Sequence, residues 1–228
     1  MLKLLALLLS LAAPGLAWAH DTWFERGPDG GLLLGTGNRF PLQESRVAPD
    51  LLVREGCNAA GCWAQTTVFA LTLEPALIPA YLDEVRPPPA VLAAWKQMQA
   101  RGLPWNERYT KHARILLGSS ADALAAAALP TGMDLDVLLT SSAPPRRGQP
   151  LTLQVLRDGR PLPHFAVELR NDRSGVGLWR RTDADGRLTF TPPLAAQWLL
   201  RGIDLRLAEG DPGTWDSRFV TLAFTAAD

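Results

Sequence analysis

From Asp134 to the end of the chain, apolar and polar residues alternate in short runs, and each run stops at turn residues. "DLDVLL" gives way to the proline-rich "APPRRGQP", and "LTLQVLR" then turns through "DGRPL" into "HFAVELR". "GLWRRT", the tight "DADG", "RLTF", "QWLLRGIDLRL" and "RFVTLAF" complete the series. A period of two sends successive side chains to opposite faces of a pleated strand, so each run has one face that must be buried. Roughly seven such strands in about 95 residues, punctuated by turns, bury those faces by stacking as two sheets. The pattern predicts an immunoglobulin-like β-sandwich over residues 133–228, with Trp179 and Trp198 as core aromatics.

Residues 20–132 read as a β-rich domain with a helical insertion. His20 to Phe24, the turn "GPDGG" and Leu32 to Leu34 form a hairpin pattern, and "GTGNRFP" is a glycine-rich loop. "WAQTTVFALTL", Trp63 to Leu73, alternates as a strand. "RPPPAVLAAWKQMQARG" has prolines in front, helix formers inside and Gly102 behind, with Val91, Trp95 and Met98 at helical spacing, which predicts a helix near 88–101. "LPWNERYTKHARILLG" fits two patterns. As a helix it aligns Tyr109, Ala113 and Leu116; as a strand it puts Thr110 and His112 on one face and Tyr109 and Ile115 on the other. Residues 121–128 are a connector or short helix, and Pro130-Thr131-Gly132 marks the boundary. Trp63 and Trp95 sit in apolar periodic contexts that read as core, whereas Trp105 and Trp215 lie beside turn residues and read as freer.

The first residues belong to neither domain. Lys3, an apolar run from Leu4 to Leu11, Pro14-Gly15 and the small-residue site Ala17-Trp18-Ala19 describe a cleavable export signal over residues 1–19. The run is too short to span a bilayer, and no transmembrane segment follows in the mature chain. Cleavage leaves 209 residues with 22 basic against 23 acidic side chains. That balance creates no basic field, so nucleic acid is excluded as a partner. An exported protein meets an oxidising compartment, and the only two cysteines, Cys57 and Cys62, read as a disulfide closed through a turn containing Gly61. A two-thiolate metal site is the alternative, with no histidine nearby in sequence.

"AHDTWF" at the cleavage site, "GNRFP" downstream and the C-terminal series "GQPLTLQVLRDGRPL", "TDADGRLTF", "WLLR" and "FVTLAF" carry a likeness across nearly the whole mature chain. The sequence resembles a bacterial periplasmic family, a domain of unknown function related to the substrate-specific components of nickel/cobalt uptake. The resemblance implies a periplasmic location, an Ig-like β-domain and a mature chain that begins His-Asp, matched by His20 and Asp21. Many relatives carry Gly-His-x-Phe-Pro. Here the stretch is Gly37-Asn38-Arg39-Phe40-Pro41, so the imidazole is replaced by Asn38.

Three histidines are present, His20, His112 and His164. Cleavage before His20 frees an α-amine beside an imidazole Nδ1, and the two form a bidentate chelate. Their ordinary pKa values of about 8 and about 6.5 allow a metal to displace both protons near neutral pH. If His112 folds against that terminus, three nitrogens make a T-shaped brace suited to tetragonal Cu(II), with nickel weaker. Asp21 adds an oxygen or orients a ring. His164, at a turn-to-strand step, reads as structural. "TDADG" resembles the start of a calcium loop but has no closing glutamate and reads as a turn. Asp83, Glu84 and Glu107 read as surface carboxylates. Nucleophile-elbow, P-loop, dinucleotide and H-E-x-x-H signatures do not occur.

The expectation is an exported periplasmic accessory to metal uptake or handling. It binds Cu, Ni or Co through His20, with His112 and Asp21 as further ligands, and serves a membrane transporter component. Two other classes share the same fold and export signal: a histidine-brace copper oxygenase, and a metal-free Ig-like adaptor or carbohydrate-binding module. Fold alone does not choose among them.

Overall fold

The computed structural model describes residues 20–228; the export signal read in residues 1–19 lies outside them. The protein is mainly β. A small antiparallel sheet comes first, from β1 (Asp21–Arg26), β2 (Leu32–Gly37) and β3 (Ser45–Arg46). β4 (Leu52–Asn58), β5 (Gly61–Thr66) and β6 (Phe69–Leu73) follow, then helices α1 (Ile78–Val85) and α2 (Pro89–Ala100), strand β7 (Trp105–Leu116) and helix α3 (Ala121–Ala127). The remaining strands are β8 (Leu135–Leu139), β9 (Leu151–Arg157), β10 (Arg160–Pro161), β11 (Ala166–Asn171), β12 (Leu178–Arg181), β13 (Arg187–Phe190), β14 (Ala196–Ala208) and β15 (Asp211–Ala226).

The largest sheet runs β12-β11-β14-β15-β7-β5-β4, with β6 also on β7; a second runs β10-β9-β13 with β8 on β9. One apolar cluster lies between these two sheets. Leu135, Val137, Leu153, Val155 and Phe190 meet Val167, Leu169, Trp198, Leu200, Val220, Leu222 and Phe224, a sandwich core. Alternation along the large sheet turns the other residues of the same strands outward, where they are covered again. The first sheet covers Ile115, Leu199 and Ala223 with Trp23. Helices α1 and α2 cover Trp105, Ile203, Leu205, Trp215 and Phe219. The large sheet is thus buried on both faces.

The ambiguous segment is β7. Its strand pattern wins because it pairs in parallel with β15, from Asn106↔Thr214 to Ile115↔Ala223, and in antiparallel with β5 and β6. Strands from both sides of residue 132 therefore share one sheet, and the line drawn at 132/133 runs through it. "WAQTTVFALTL" is two strands, β5 and β6, which dock on successive stretches of β7. Helix α2 matches the segment expected near 88–101, while α1, with Ile78, Tyr81 and Val85 on its buried side, was not expected.

The tryptophans sort differently from their local contexts. Trp105 and Trp215 are fully buried and stack with ring centroids 4.6 Å apart, because they stand at neighbouring positions on the parallel pair β7–β15 beneath the helices. Trp198 is core as expected. Trp179 lies on the edge strand β12, half-buried, with the Arg86 guanidinium 4.1 Å above its ring. Cys57 and Cys62 are directly opposed across the β4–β5 hairpin and form a disulfide.

Candidate functional site

His20 stands at the start of β1. Its backbone carbonyl accepts a hydrogen bond from Lys111 Nζ at 2.9 Å, and its ring Nε2 lies 3.8 Å from Glu44 Oε2 with the side chain 29% exposed. Glu44 is itself held: its N–H donates to Thr36 O, and its Oε1 accepts from the Asn38 N–H at 3.2 Å. The β1–β2 register runs from Arg26↔Leu32 to Asp21↔Gly37, and His20 and Asn38, just beyond its end, both approach the Glu44 carboxylate. The sequence position where the resemblance expects an imidazole thus shares the Glu44 carboxylate with His20. Burial pushes the Lys111 ammonium down to about 8, with Asp21 opposing the shift.

Asp21 faces a different partner. Arg201 is buried in the middle of β14, and its three nitrogens reach three carboxylates. Nε lies 2.7 Å from Asp21 Oδ2, Nη2 lies 2.8 Å from Glu84 Oε1 on α1, and Nη1 lies 3.1 Å from Glu168 Oε2 on β11. Arg170 adds a second cation on Glu168 at 2.9 Å. Burial works against the Arg201 charge, but Asp21, Glu84 and Glu168 together outweigh it and hold the guanidinium above its ordinary value. One cation therefore ties the first strand to a helix and two strands of the large sheet. The Asp21 carboxylate is committed to this node, and Glu84, read from sequence as a surface carboxylate, belongs to it as well.

His112 is buried on β7, and its Nδ1–H donates to the Phe219 carbonyl at 2.9 Å. Lys111 precedes it and reaches His20, so alternation points the His112 ring to the opposite, sandwich-core side of the sheet. Val220, its register partner, lies in that core. His20 and His112 are thus separated by the large sheet and do not share an ion. Burial pushes the His112 imidazole down to about 4, against the opposing effects of the Phe219 carbonyl and Asp134, and its Nε2 is buried without a partner.

Two further buried charges escape a sequence reading. Glu107 accepts from Tyr81 Oη at 2.8 Å, from Trp105 Nε1 at 2.9 Å and from Ser217 Oγ. Its burial raises its pKa, while those three donors pull it back. It is therefore no surface carboxylate. Arg114 lies 3.3 Å from Asp136 and also donates to the carbonyls of Ala126 and Ala127 in the last turn of α3. The available sequence signal is a charge inside an apolar run, as in "WLLRGIDL" and "HARILL". In "TDADG", Asp183 Oδ1 accepts from the N–H groups of Asp185 and Arg187, so the turn reading holds.

Among the described residues no three His, Cys, Asp or Glu side chains gather into a metal cage. No helix among them is long and apolar enough to cross a membrane. The arrangement is a β-sandwich with an added outer layer that holds His20 and β1. The chain belongs to the family described as domain of unknown function DUF4198, whose sequence model matches residues 34–203. The matched span includes Asn38 and Glu44 and begins after His20. No curated protein and no solved structure matches the chain.

Proposed function

We propose that the protein is exported to the periplasm, trimmed to begin at His20, and binds Cu(II), Ni(II) or Co(II) through that residue as an accessory that hands the ion to a membrane transporter component. The observation that carries the reading is the setting of His20: carbonyl gripped by Lys111, ring partly open, and Nε2 3.8 Å from Glu44. A carboxylate next to Nε2 favours the tautomer protonated there and leaves the lone pair on Nδ1. That is the nitrogen able to close a chelate ring with the α-amine of the same residue. Two such nitrogens suit tetragonal Cu(II) best. His20 supplies the amine and imidazole, and Glu44 orients the ring. Asp21 acts through Arg201 to hold the segment. With few donors from the chain, the remaining coordination positions stay open to exchange, which suits a carrier more than a store.

The test joins processing to binding. Exported protein is analysed by intact mass and titrated with Cu(II) and Ni(II) under spectroscopic observation. The expected mass is that of a chain beginning at His20, with one ion bound per chain. His20→Ala, and separately a Gly-Ser extension ahead of His20, lose that binding without a change in melting temperature. An extended chain that binds as tightly as the native terminus overturns the reading and leaves the metal-free adaptor in its place.

A further inference from the structure

The large sheet ends on two strands, β4 and β12. β4 is interrupted as an edge, because its register with β5 shifts between Leu52 and Arg54. An irregularity of that kind twists an edge away from new partners. β12 keeps a regular antiparallel register on β11, from Ala166↔Arg181 to Leu169↔Leu178, and no described strand pairs with its other side.

The direction of its free backbone groups follows from the next residue. Thr182 donates its N–H to the Phe165 carbonyl at 3.0 Å, and its own carbonyl accepts from the His164 N–H at 3.1 Å, so both groups face inward. Alternation in an antiparallel ladder then turns the backbone groups of Arg180 toward β11 and those of Trp179 and Arg181 outward. Such an outward set can pair with an extended chain. One of its acceptors is already covered: the Trp179 carbonyl accepts from Arg180 Nη1 at 2.7 Å. That side chain is exposed, so an incoming N–H can replace it.

Charge selects what can add there. Arg86, Arg180 and Arg181 are exposed, and their guanidinium groups rest on a ring or on carbonyls. Arg86, the C-cap of α1, lies over Trp179, while Arg181 donates to the His164 and Arg86 carbonyls, each at 3.0 Å. Arg180 alternates to the opposite face of the strand, the face on which Leu178 packs against the sandwich core. The acid opposite Trp179 in the register is Glu168, and its carboxylate is committed to Arg201 and Arg170. Cations thus stand on both faces of β12 without a carboxylate of their own among the described residues. They repel a second copy of the same edge and attract an acidic strand. We propose that β12 is an interaction edge to which an acidic, extended segment of a partner protein adds as a further strand. Its backbone pairs with Trp179 and Arg181, and its carboxylates meet Arg86, Arg180 and Arg181. The proposal is independent of the metal reading, and chelator-treated protein tests it alone.

Residues 20–228 are titrated with three fluorescent octapeptides, following anisotropy: the acidic acetyl-TEVEVEVT-amide, its lysine counterpart acetyl-TKVKVKVT-amide, and the acidic peptide N-methylated at its six central amides. The acidic peptide is expected to bind one per chain with half-saturation below about 1 mM, and to slow hydrogen exchange within residues 176–183. The lysine peptide is expected to bind at least about tenfold more weakly. So is the N-methylated peptide, which keeps the charge but cannot donate to the edge. Arg180→Glu, at an exposed position, is expected to weaken the acidic peptide at least about tenfold and to strengthen the lysine peptide, at an unchanged melting temperature. Equal binding of the acidic and lysine peptides overturns the proposal. An N-methylated peptide that binds as tightly as its parent does so too, since charge alone would then suffice. Protection elsewhere than β12, or no saturation at several millimolar, has the same consequence. Protection of residues 176–183 that rises with protein concentration in the absence of peptide would make a second copy the occupant and also overturn it.

Discussion

Arg201 and His112 are buried for opposite electrostatic reasons. Arg201 is charged and satisfied, with a carboxylate on each of its three nitrogens. Replacing it by Met leaves Asp21, Glu84 and Glu168 desolvated without their shared cation. Removing one partner of a buried charge cluster costs about 3–5 kcal/mol. Arg201→Met is accordingly expected to lower the unfolding free energy obtained from urea denaturation by that amount, and a change under about 1 kcal/mol would mean that water reaches the node. His112 is buried and neutral, its imidazole held down to about 4. Between its ordinary value of about 6.5 and about 4, the unfolded chain binds a proton that the folded chain refuses. Stability is thus undiminished above pH ~6.5 and falls as pH drops through that window, by on the order of 3 kcal/mol. Urea denaturation across the window should show the fall, and His112→Gln should flatten it. The sequence could show that "WLLRGIDL" and "HARILL" each carry a charge where apolar residues belong, but not which carboxylates answer it. Asp21 lies 180 residues from Arg201, and no local pattern reports such a pairing.

Strands carried most of what was legible, because a period of two is local and shows plainly where one face alone is buried, as in β9 and β13. β7 was legible only as an alternative, since apolar residues at its 3.6-residue spacing exist by chance and the parallel partner lies a hundred residues away. Helix α1 is eight residues long and carries Pro79 in its first turn, where the missing N–H does no harm; so short a segment leaves little periodicity to read. Helix α3 is fixed at both ends by side chains, Ser120 Oγ accepting from the Ala123 N–H and Arg114 meeting the last carbonyls. Ser120→Ala is expected to lower stability by about 1 kcal/mol, read from chemical denaturation. The β1–β2 hairpin supports a sharper expectation for the metal reading. Just beyond its last pair, Glu44 stands beside both His20 and Asn38. Asn38→His restores the imidazole found in the family resemblance and adds a nitrogen donor beside the first. Copper titration should then show at least about tenfold tighter binding than wild type, or about 1.4 kcal/mol. An unchanged affinity would separate the hairpin from the ion.

At the scale of the whole molecule, β15 decides what can fold alone. It lies outside residues 34–203, yet it is a central strand of the large sheet, hydrogen-bonded to β14 along one side and to β7 along the other. β7 belongs to the first half of the chain and is the parallel partner that closes that second side. Cutting at 132/133 would strip β15 of this neighbour and uncover Trp215, Phe219 and Ile203, which the helices of the first half bury. Exposed strand edges and apolar faces of that kind pair with other chains and do not stay solvated. Residues 20–228 are therefore expected to unfold in one transition, with tryptophan fluorescence and far-ultraviolet circular dichroism coinciding, because their most buried tryptophans span both halves. Residues 133–228 expressed alone are expected to aggregate or to bind hydrophobic dye without a cooperative melt. A sharp transition of that fragment at the melting temperature of the full chain would show that the sandwich core between the two main sheets suffices, and that the outer layer holding His20 is an addition to a self-sufficient fold.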